Sequence, residues 1–142
     1  MVIIELFHLF SRVDGDPVYS PKALGLFASR KSAEEAIQYY KTQPGFCDNP
    51  DAFSVRRREV QGELFSSTVF EALIYLHSAD YGFETSIELG LFLEKKDAQN
   101  AVTRYCSENT SLIHARGVAV ERIVNGRLIG RREWAEGFTA SD

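Results

Sequence analysis

Residues 24–40 of this chain are echoed 65 positions later, and that echo constrains the fold more than any other feature. Leu24-Gly25-Leu26-Phe27 returns as Leu89-Gly90-Leu91-Phe92. In the same register Lys31 meets Lys96, Ala33 meets Ala98, Ala36 meets Ala101 and Tyr40 meets Tyr105, which makes eight identities in seventeen positions. The register persists where Phe53-Ser-Val-Arg56 lies over Val118-Ala-Val-Glu121. One offset held through an apolar run, a helix-period stretch and a second apolar run implies tandem duplication of one supersecondary unit. With 142 residues the chain can bury a core without disulfides or metal. The expected organisation is a single compact domain over 1–142, with repeats 1–60 and 69–125, a linker 61–68, and a C-terminal strand and tail 126–142.

Each copy reads as β-β-α-β. Val2 to Phe10 is rich in β-branched and aromatic residues and predicts a strand. Ser11 to Pro21, with Gly15, Pro17 and Pro21 as breakers, predicts a loop that could also fold as a hairpin. Ala23 to Ala28 predicts a strand. Ser29 or Ser32 then caps a helix to about Thr42, Ser32 with Glu35 fitting a capping box. Ala33, Ala36, Ile37 and Tyr40 fall on one helical face, and Gln43-Pro44-Gly45-Phe46 ends the helix before a strand at Phe53 to Val60. In the second copy Val69–His77 predicts a strand, Ser78–Ser86 a loop and Ile87–Leu93 a strand. A helix capped by Asp97 follows, with Ala98, Ala101, Val102 and Tyr105 facing inward, and then a strand at Gly117–Val124. Asn125-Gly126 predicts a tight hairpin into a short extra strand at Arg127–Arg131. The expected fold is therefore α/β (α+β): two tandem β-β-α-β repeats, a mainly antiparallel six- to seven-stranded sheet, and two helices on one face.

Composition narrows the function classes. The net charge is −4, so the chain lacks the basic balance of a general nucleic-acid binder. Residues 1–65 carry nine acids and eight bases, and residues 66–142 carry eleven and eight, so the second half is the more acidic. Met1 to Phe10 has no positive leader region and is interrupted by Glu5 and His8, which argues for a strand rather than a signal peptide. No stretch reaches the ~18 apolar residues of a membrane span. Cys47 and Cys106 are far apart and are expected to be free thiols in a cytoplasmic protein.

The stretches Gly25-Leu-Phe-Ala-Ser29, Ala33-Glu-Glu-Ala-Ile37, Gln43-Pro-Gly-Phe-Cys-Asp-Asn-Pro50 and Phe53 resemble a small bacterial domain of uncharacterised function. Its members run strand, helix with paired alanines, Pro-Gly-Phe turn and strand, and close on a Trp-x-Glu-Gly-Phe tail. Here Trp134-Ala-Glu136-Gly137-Phe138 supplies that tail after the second copy, so the pattern is split across the duplication. Domains of this kind look like immunity proteins of bacterial toxin systems, contact-dependent growth inhibition among them. The resemblance implies a protein that binds and blocks a cognate toxin.

The candidate chemistry is sparse. His8 and His77 lie near the ends of the two first strands, and two histidines on one cleft could do acid–base work. Strand histidines inherited through duplication are the simpler account, and His114 falls in a predicted loop. Asp14-Gly15-Asp16 suggests a calcium loop, but the twelfth position is Gly25, so a polar turn is the better reading; Asp48 and Asp51 likewise belong to a turn. No Cys/His spacing fits zinc. In Arg56-Arg57-Arg58, strand alternation puts Arg56 and Arg58 on one face and Arg57 on the other, as a solvated edge; Arg131-Arg132 forms a second basic cluster. Gly25 and Gly90, inside strands and without phosphate-loop spacing, point to a bulge or close packing.

The loop from Ser78 to Glu88 combines Tyr81 and Phe83 with Asp80, Glu84 and Glu88 around Gly82. Its counterpart carries Asp14, Asp16 and Tyr19. Exposed aromatics bury much area per ordered side chain, and carboxylates beside them select a basic partner. These eight residues are the expected partner-binding set, with no cofactor, metal or catalytic residue; the other reading of the loop has Tyr81 and Phe83 folded back on the core. The leading function is a non-catalytic immunity protein that neutralises a basic toxin, a nuclease, with no direct nucleic-acid or membrane contact and with homodimerisation left open. The alternatives are a small hydrolase or nuclease using His8 and His77, and a small-ligand-binding or self-associating domain.

Overall fold

A computed structural model describes residues 1–13, 16–60, 67–78, 83–113, 117–136 and 139–140. The fold is α+β, in the order β1 (Val2–Val13), β2 (Asp16–Phe27), α1 (Arg30–Tyr40), β3 (Phe53–Glu59), β4 (Thr68–Ser78), β5 (Phe83–Phe92), α2 (Lys95–Glu108), α3 (Thr110–Ile113), β6 (Val118–Leu128), β7 (Trp134–Glu136) and β8 (Thr139–Ala140). Among the described residues the strands form two three-stranded sheets, ordered β2-β1-β3 and β5-β4-β6, plus a β7-β8 ladder; a single six- to seven-stranded sheet is not what pairs. In each sheet the strand after the helix pairs with the first strand of its own hairpin. The chain divides into two compact units. The first comprises Val2–Arg58 with Leu128–Asp142, and the second comprises Met1 with Glu59–Arg127.

The first unit buries Leu6, Leu24, Phe27, Ala33, Ala36, Tyr40 and Phe46 together, with Ile4, Ile37, Tyr39, Phe53, Val55 and Trp134 packed around them. Ala33, Ala36 and Tyr40 are the buried stripe of α1, as the helical spacing predicts. The N-cap is Ser29, whose hydroxyl accepts from the Ser32 backbone N–H at 3.1 Å, so the Ser32–Glu35 capping box is not used. After α1, Gly45 at φ +87° turns the chain, and Phe46 swings into the core with its ring 5.2 Å from that of Tyr40.

The second unit buries Ala72, Ile74, Leu76, Ala98, Val102 and Cys106, flanked by Phe70, Ile87, Leu89, Phe92, Tyr105, Val118, Val120 and Val124. Cys106 rather than Tyr105 completes the buried stripe of α2. Glu94 is the N-cap and makes no side-chain cap bond, and Asp97 lies in the first turn instead of capping. There it still favours the helix through the macrodipole.

Two local expectations are overturned, and a third resolves to its alternative. Of the two readings of 11–21, the hairpin holds: β1 and β2 stay paired out to Val13↔Asp16. Pro17 and Pro21 are tolerated because β2 is an edge strand, where a missing N–H need not break the sheet. Likewise β4 and β5 pair out to Ser78↔Phe83, so much of the predicted loop 78–86 is strand. Finally, Asn125-Gly126 makes no hairpin, because β6 runs through it to Leu128 and there is no separate strand at 127–131. Of the expected linker, 61–66 lies outside the described residues.

Gly25 and Gly90 do mark bulges. Leu6 pairs with Gly25 but Phe7 pairs with Ala23, leaving Leu24 as the extra residue; Ala72 pairs with Gly90 but Leu73 with Glu88, leaving Leu89 extra. Both glycines have positive φ, +152° and +133°. Their surroundings differ. A Cβ on Gly25 would lie 2.5 Å from the Arg131 carbonyl oxygen, whereas one on Gly90 would lie 3.6 Å from the Phe92 ring. Gly25→Ala is therefore expected to cost roughly 2–3 kcal/mol, strain plus displaced backbone, and Gly90→Ala only about 1 kcal/mol of strain. Urea unfolding of the two variants checks the difference, and equal costs would contradict the close approach at Gly25.

Candidate functional site

Two carboxylates interrupt the apolar first strands, Glu5 in β1 and Glu71 in β4. In the ladders Glu5 stands opposite Leu26 and Glu71 opposite Leu91, each one position from a bulge glycine. Glu5 is 2% exposed. Its Oε1 accepts from Arg56 Nε at 3.0 Å, Arg56 Nη2 at 2.8 Å and Arg58 Nη1 at 2.8 Å. The side chains of Arg56 and Arg58 are 41% and 10% exposed, so the cluster runs from a buried anion toward the surface. Glu71 faces Arg127 of β6, whose Nη1 lies 3.4 and 3.5 Å from the two carboxylate oxygens.

The alternation expected for Arg56 and Arg58 holds: both reach Glu5, while Arg57 is exposed. They form ion pairs rather than a solvated edge. Sequence reasoning missed this cluster and the one at Glu71. The available signal was an acid inside an apolar strand with arginines at alternate positions of another strand.

The histidines are not brought together into one ladder. His8 is fully buried in the first unit, its ring edge-on to Phe46 at 4.9 Å and to Phe53 at 4.8 Å. Its Nε2 lies 3.0 Å from the Asn49 carbonyl oxygen. A carbonyl can only accept, so Nε2 carries the proton. His77, in the second unit, is half-buried against Tyr75 and places Nε2 3.0 Å from Glu121 Oε1. His114 lies outside the described residues.

Of the expected partner-binding set, Asp14, Asp80 and Tyr81 lie outside the described residues. The backbone of the others is placed on two hairpins. Asp16 closes the β1–β2 ladder opposite Val13, and Tyr19 pairs with Phe10. Phe83 closes β4–β5 opposite Ser78, Glu84 pairs with His77, and the exposed Glu88 pairs with Leu73. The described members of the set are thus divided between two hairpins, one in each unit.

Arg131-Arg132 belongs to the first unit, where the Arg132 guanidinium stacks 3.6 Å from the Tyr39 ring centroid. Beside it Lys22 Nζ lies 5.0 Å from the centroid of Trp134, and burial lowers the Lys22 pKa. Burial also pushes the Tyr40 phenol upward, partly opposed by the bond from the Trp134 N–H. Cys47 is exposed, Cys106 is buried, and both are free thiols. Among the described residues no group of three or more His, Cys, Asp or Glu is placed to hold a metal ion, and no helix is long and apolar enough to cross a membrane.

No protein-family model, no curated protein and no solved structure matches this chain.

Proposed function

We propose that this chain is a non-catalytic, protein-binding immunity protein that works in the cytoplasm and neutralises a cognate basic toxin, a nuclease, by covering it. We also propose that its two β-β-α-β units descend from one duplicated module. The observation that supports the functional reading is the pair of long hairpins β1–β2 and β4–β5, along which the backbone of Asp16, Tyr19, Phe83, Glu84 and Glu88 is placed. A hairpin end projects side chains from a rigid ladder, which lowers the ordering cost of an interface. Aromatics there supply area, and carboxylates supply attraction to a basic surface. The ring of His8 packs edge-on to Phe46 and Phe53, which is consistent with a part in the core.

The test is co-expression with the neighbouring upstream reading frame. The expected result is a complex that co-purifies and relief of the growth arrest that frame causes alone. Absence of both would sink the reading. Within the complex, Asp80→Asn with Glu84→Gln is expected to slow association and flatten its salt dependence, and Tyr81→Ala or Phe83→Ala to speed dissociation. Surface binding kinetics at two salt concentrations read both effects, and unchanged rates in all the variants would remove the hairpin end from the interface.

A further inference from the structure

We propose that residues 131–134 form a latch that two copies of this chain exchange, each latch closing the first unit of the other copy, with the hinge at Gly130. The chain leaves the second unit at Arg127 and enters the first at Leu128. Ile129 then forms a parallel bridge with Leu26 of the outer strand β2, and the Gly130 N–H donates to the Leu26 carbonyl at 2.7 Å. Beyond Gly130 the Glu133 N–H donates to the Leu24 carbonyl at 2.9 Å. The Trp134 N–H donates to the Tyr40 hydroxyl at 3.1 Å, and its indole N–H to the Ala23 carbonyl at 2.8 Å. The Arg132 guanidinium stacks on Tyr39, and Lys22 lies over the Trp134 ring. These partners all belong to the first unit.

The seat is built for this segment. A Cβ on Gly25 would come within 2.5 Å of the Arg131 carbonyl oxygen, so the latch needs glycine at that point of β2. Pro17 and Pro21 stand on the part of β2 nearer the hairpin end, and the latch with its lead-in covers the next stretch, Ala23 to Leu26. Prolines and covering segments are two ways of keeping an edge strand from pairing with another chain. When the latch opens, the Ala23 and Leu24 carbonyls lose its donors. The latch of a second copy brings the identical donors and the identical ring. Exchange therefore keeps these bonds, and its cost is confined to association and to the hinge.

Gly130 sets the hinge cost. From there the chain runs back along β2, from Leu26 to Leu24 to Ala23, so Gly130 is the point of reversal. Its φ is +88°, a conformation that few residues besides glycine and asparagine accept. A Cβ built on it meets nothing within 4 Å among the described residues, so a larger residue there is penalised through the backbone rather than by crowding. In the exchanged form residue 130 extends and carries the latch away from its own seat, and there a β-branched residue is at ease. A residue that resists positive φ thus penalises the closed latch and spares the exchanged one. The exchange uses neither hairpin end and needs no toxin, so it stands or falls apart from the immunity reading.

The test is size-exclusion chromatography with light scattering on the full chain over a range of concentrations, unaltered and as Gly130→Val, Gly130→Ala and Gly130→Asn. The valine and alanine variants are expected to raise the dimerisation constant about tenfold or more, since each dimer relieves two strained hinges. Gly130→Asn, which accepts positive φ, is expected to change it little. Trp134 is the sole tryptophan and reads the seat, so the dimer is expected to keep the emission maximum of the monomer. Adding Trp134→Ala to Gly130→Val, below the melting temperature of the double variant, is expected to return the chain to monomer. The proposal is overturned if the folded valine and alanine variants stay as monomeric as the unaltered chain, or if Gly130→Asn dimerises as they do. It is equally overturned by a dimer with the emission of water-exposed tryptophan, or by a double variant that remains dimeric.

Discussion

Replacing Glu5 by alanine is expected to destabilise the protein by about 3–5 kcal/mol, the range for removing one partner of a buried ion pair. The cost comes from what is left behind more than from the lost attraction. Arg58, with a side chain only 10% exposed, would lose the carboxylate 2.8 Å away at a site largely shielded from water. Arg56 is 41% exposed, so Arg56→Ala should cost far less, about 1 kcal/mol, because solvent already screens that side of the cluster. The order Glu5→Ala well above Arg56→Ala is the informative result. Denaturant unfolding with a shared slope measures it, and a Glu5→Ala loss below about 1 kcal/mol would show that the carboxylate is not bearing on the sheet. Replacing Glu5, Arg56 and Arg58 together by apolar residues of similar volume is expected to recover much of the loss, since the desolvation of all three charges then disappears.

Trp134→Ala is the second large effect, with an expected loss of about 3 kcal/mol, the low end for truncating a packed tryptophan because this ring is half-buried. The sequence places Trp134 directly after the second copy, and packing on that copy is the natural expectation. The structure assigns it to the other unit, where it lies against the Tyr40–Phe46 core, donates its indole N–H to Ala23, and gives its backbone N–H to the Tyr40 hydroxyl at 3.1 Å. Trp134→Phe keeps most of the packing and loses one hydrogen bond, for about 1 kcal/mol plus the small loss of ring area. Hydrogen exchange locates the damage: faster exchange is expected in β2 and α1, with α2 unchanged. An unaltered melting temperature for Trp134→Ala would mean that the tail is not part of the first unit's core.

The contrast between those two residues explains what could be read in advance. The α+β class, the Ala33–Ala36–Tyr40 stripe and the Arg56/Arg58 alternation are set by neighbours a few residues apart, and periodicity reports such neighbours directly. Trp134 meets Ala23, Glu5 meets Arg58 and Glu71 meets Arg127 across 111, 53 and 56 residues, and no local pattern encodes those partners. Asn125-Gly126 shows the conflict most plainly. Its turn preference is strong, yet Gly126 lies against Phe70 and Arg127 reaches Glu71, so extension through the pair satisfies a buried carboxylate that a hairpin would abandon. The first hairpin stands in the sequence only as an alternative to a loop for the opposite reason: Pro17 and Pro21 break central strands but not edges, and which strand lies at an edge is a property of the whole sheet.

The order in which the chain leaves the ribosome now acquires a meaning. Residues 59–127 are made as one uninterrupted stretch and contain nearly all of the second unit, whereas the first unit needs residues 128–142, synthesised after the second unit is already available to fold. Domains tend to fold as units during synthesis, so the half encoded first is the half finished last. Until Trp134 arrives, the Ala23 carbonyl lacks the indole N–H that it accepts, and the Tyr40 hydroxyl, which donates to the Leu24 carbonyl, lacks the backbone N–H of Trp134. A nascent chain stalled before residue 128 would hold a nearly complete second unit and an open first one, and quality-control proteases would meet it at its amino-terminal half.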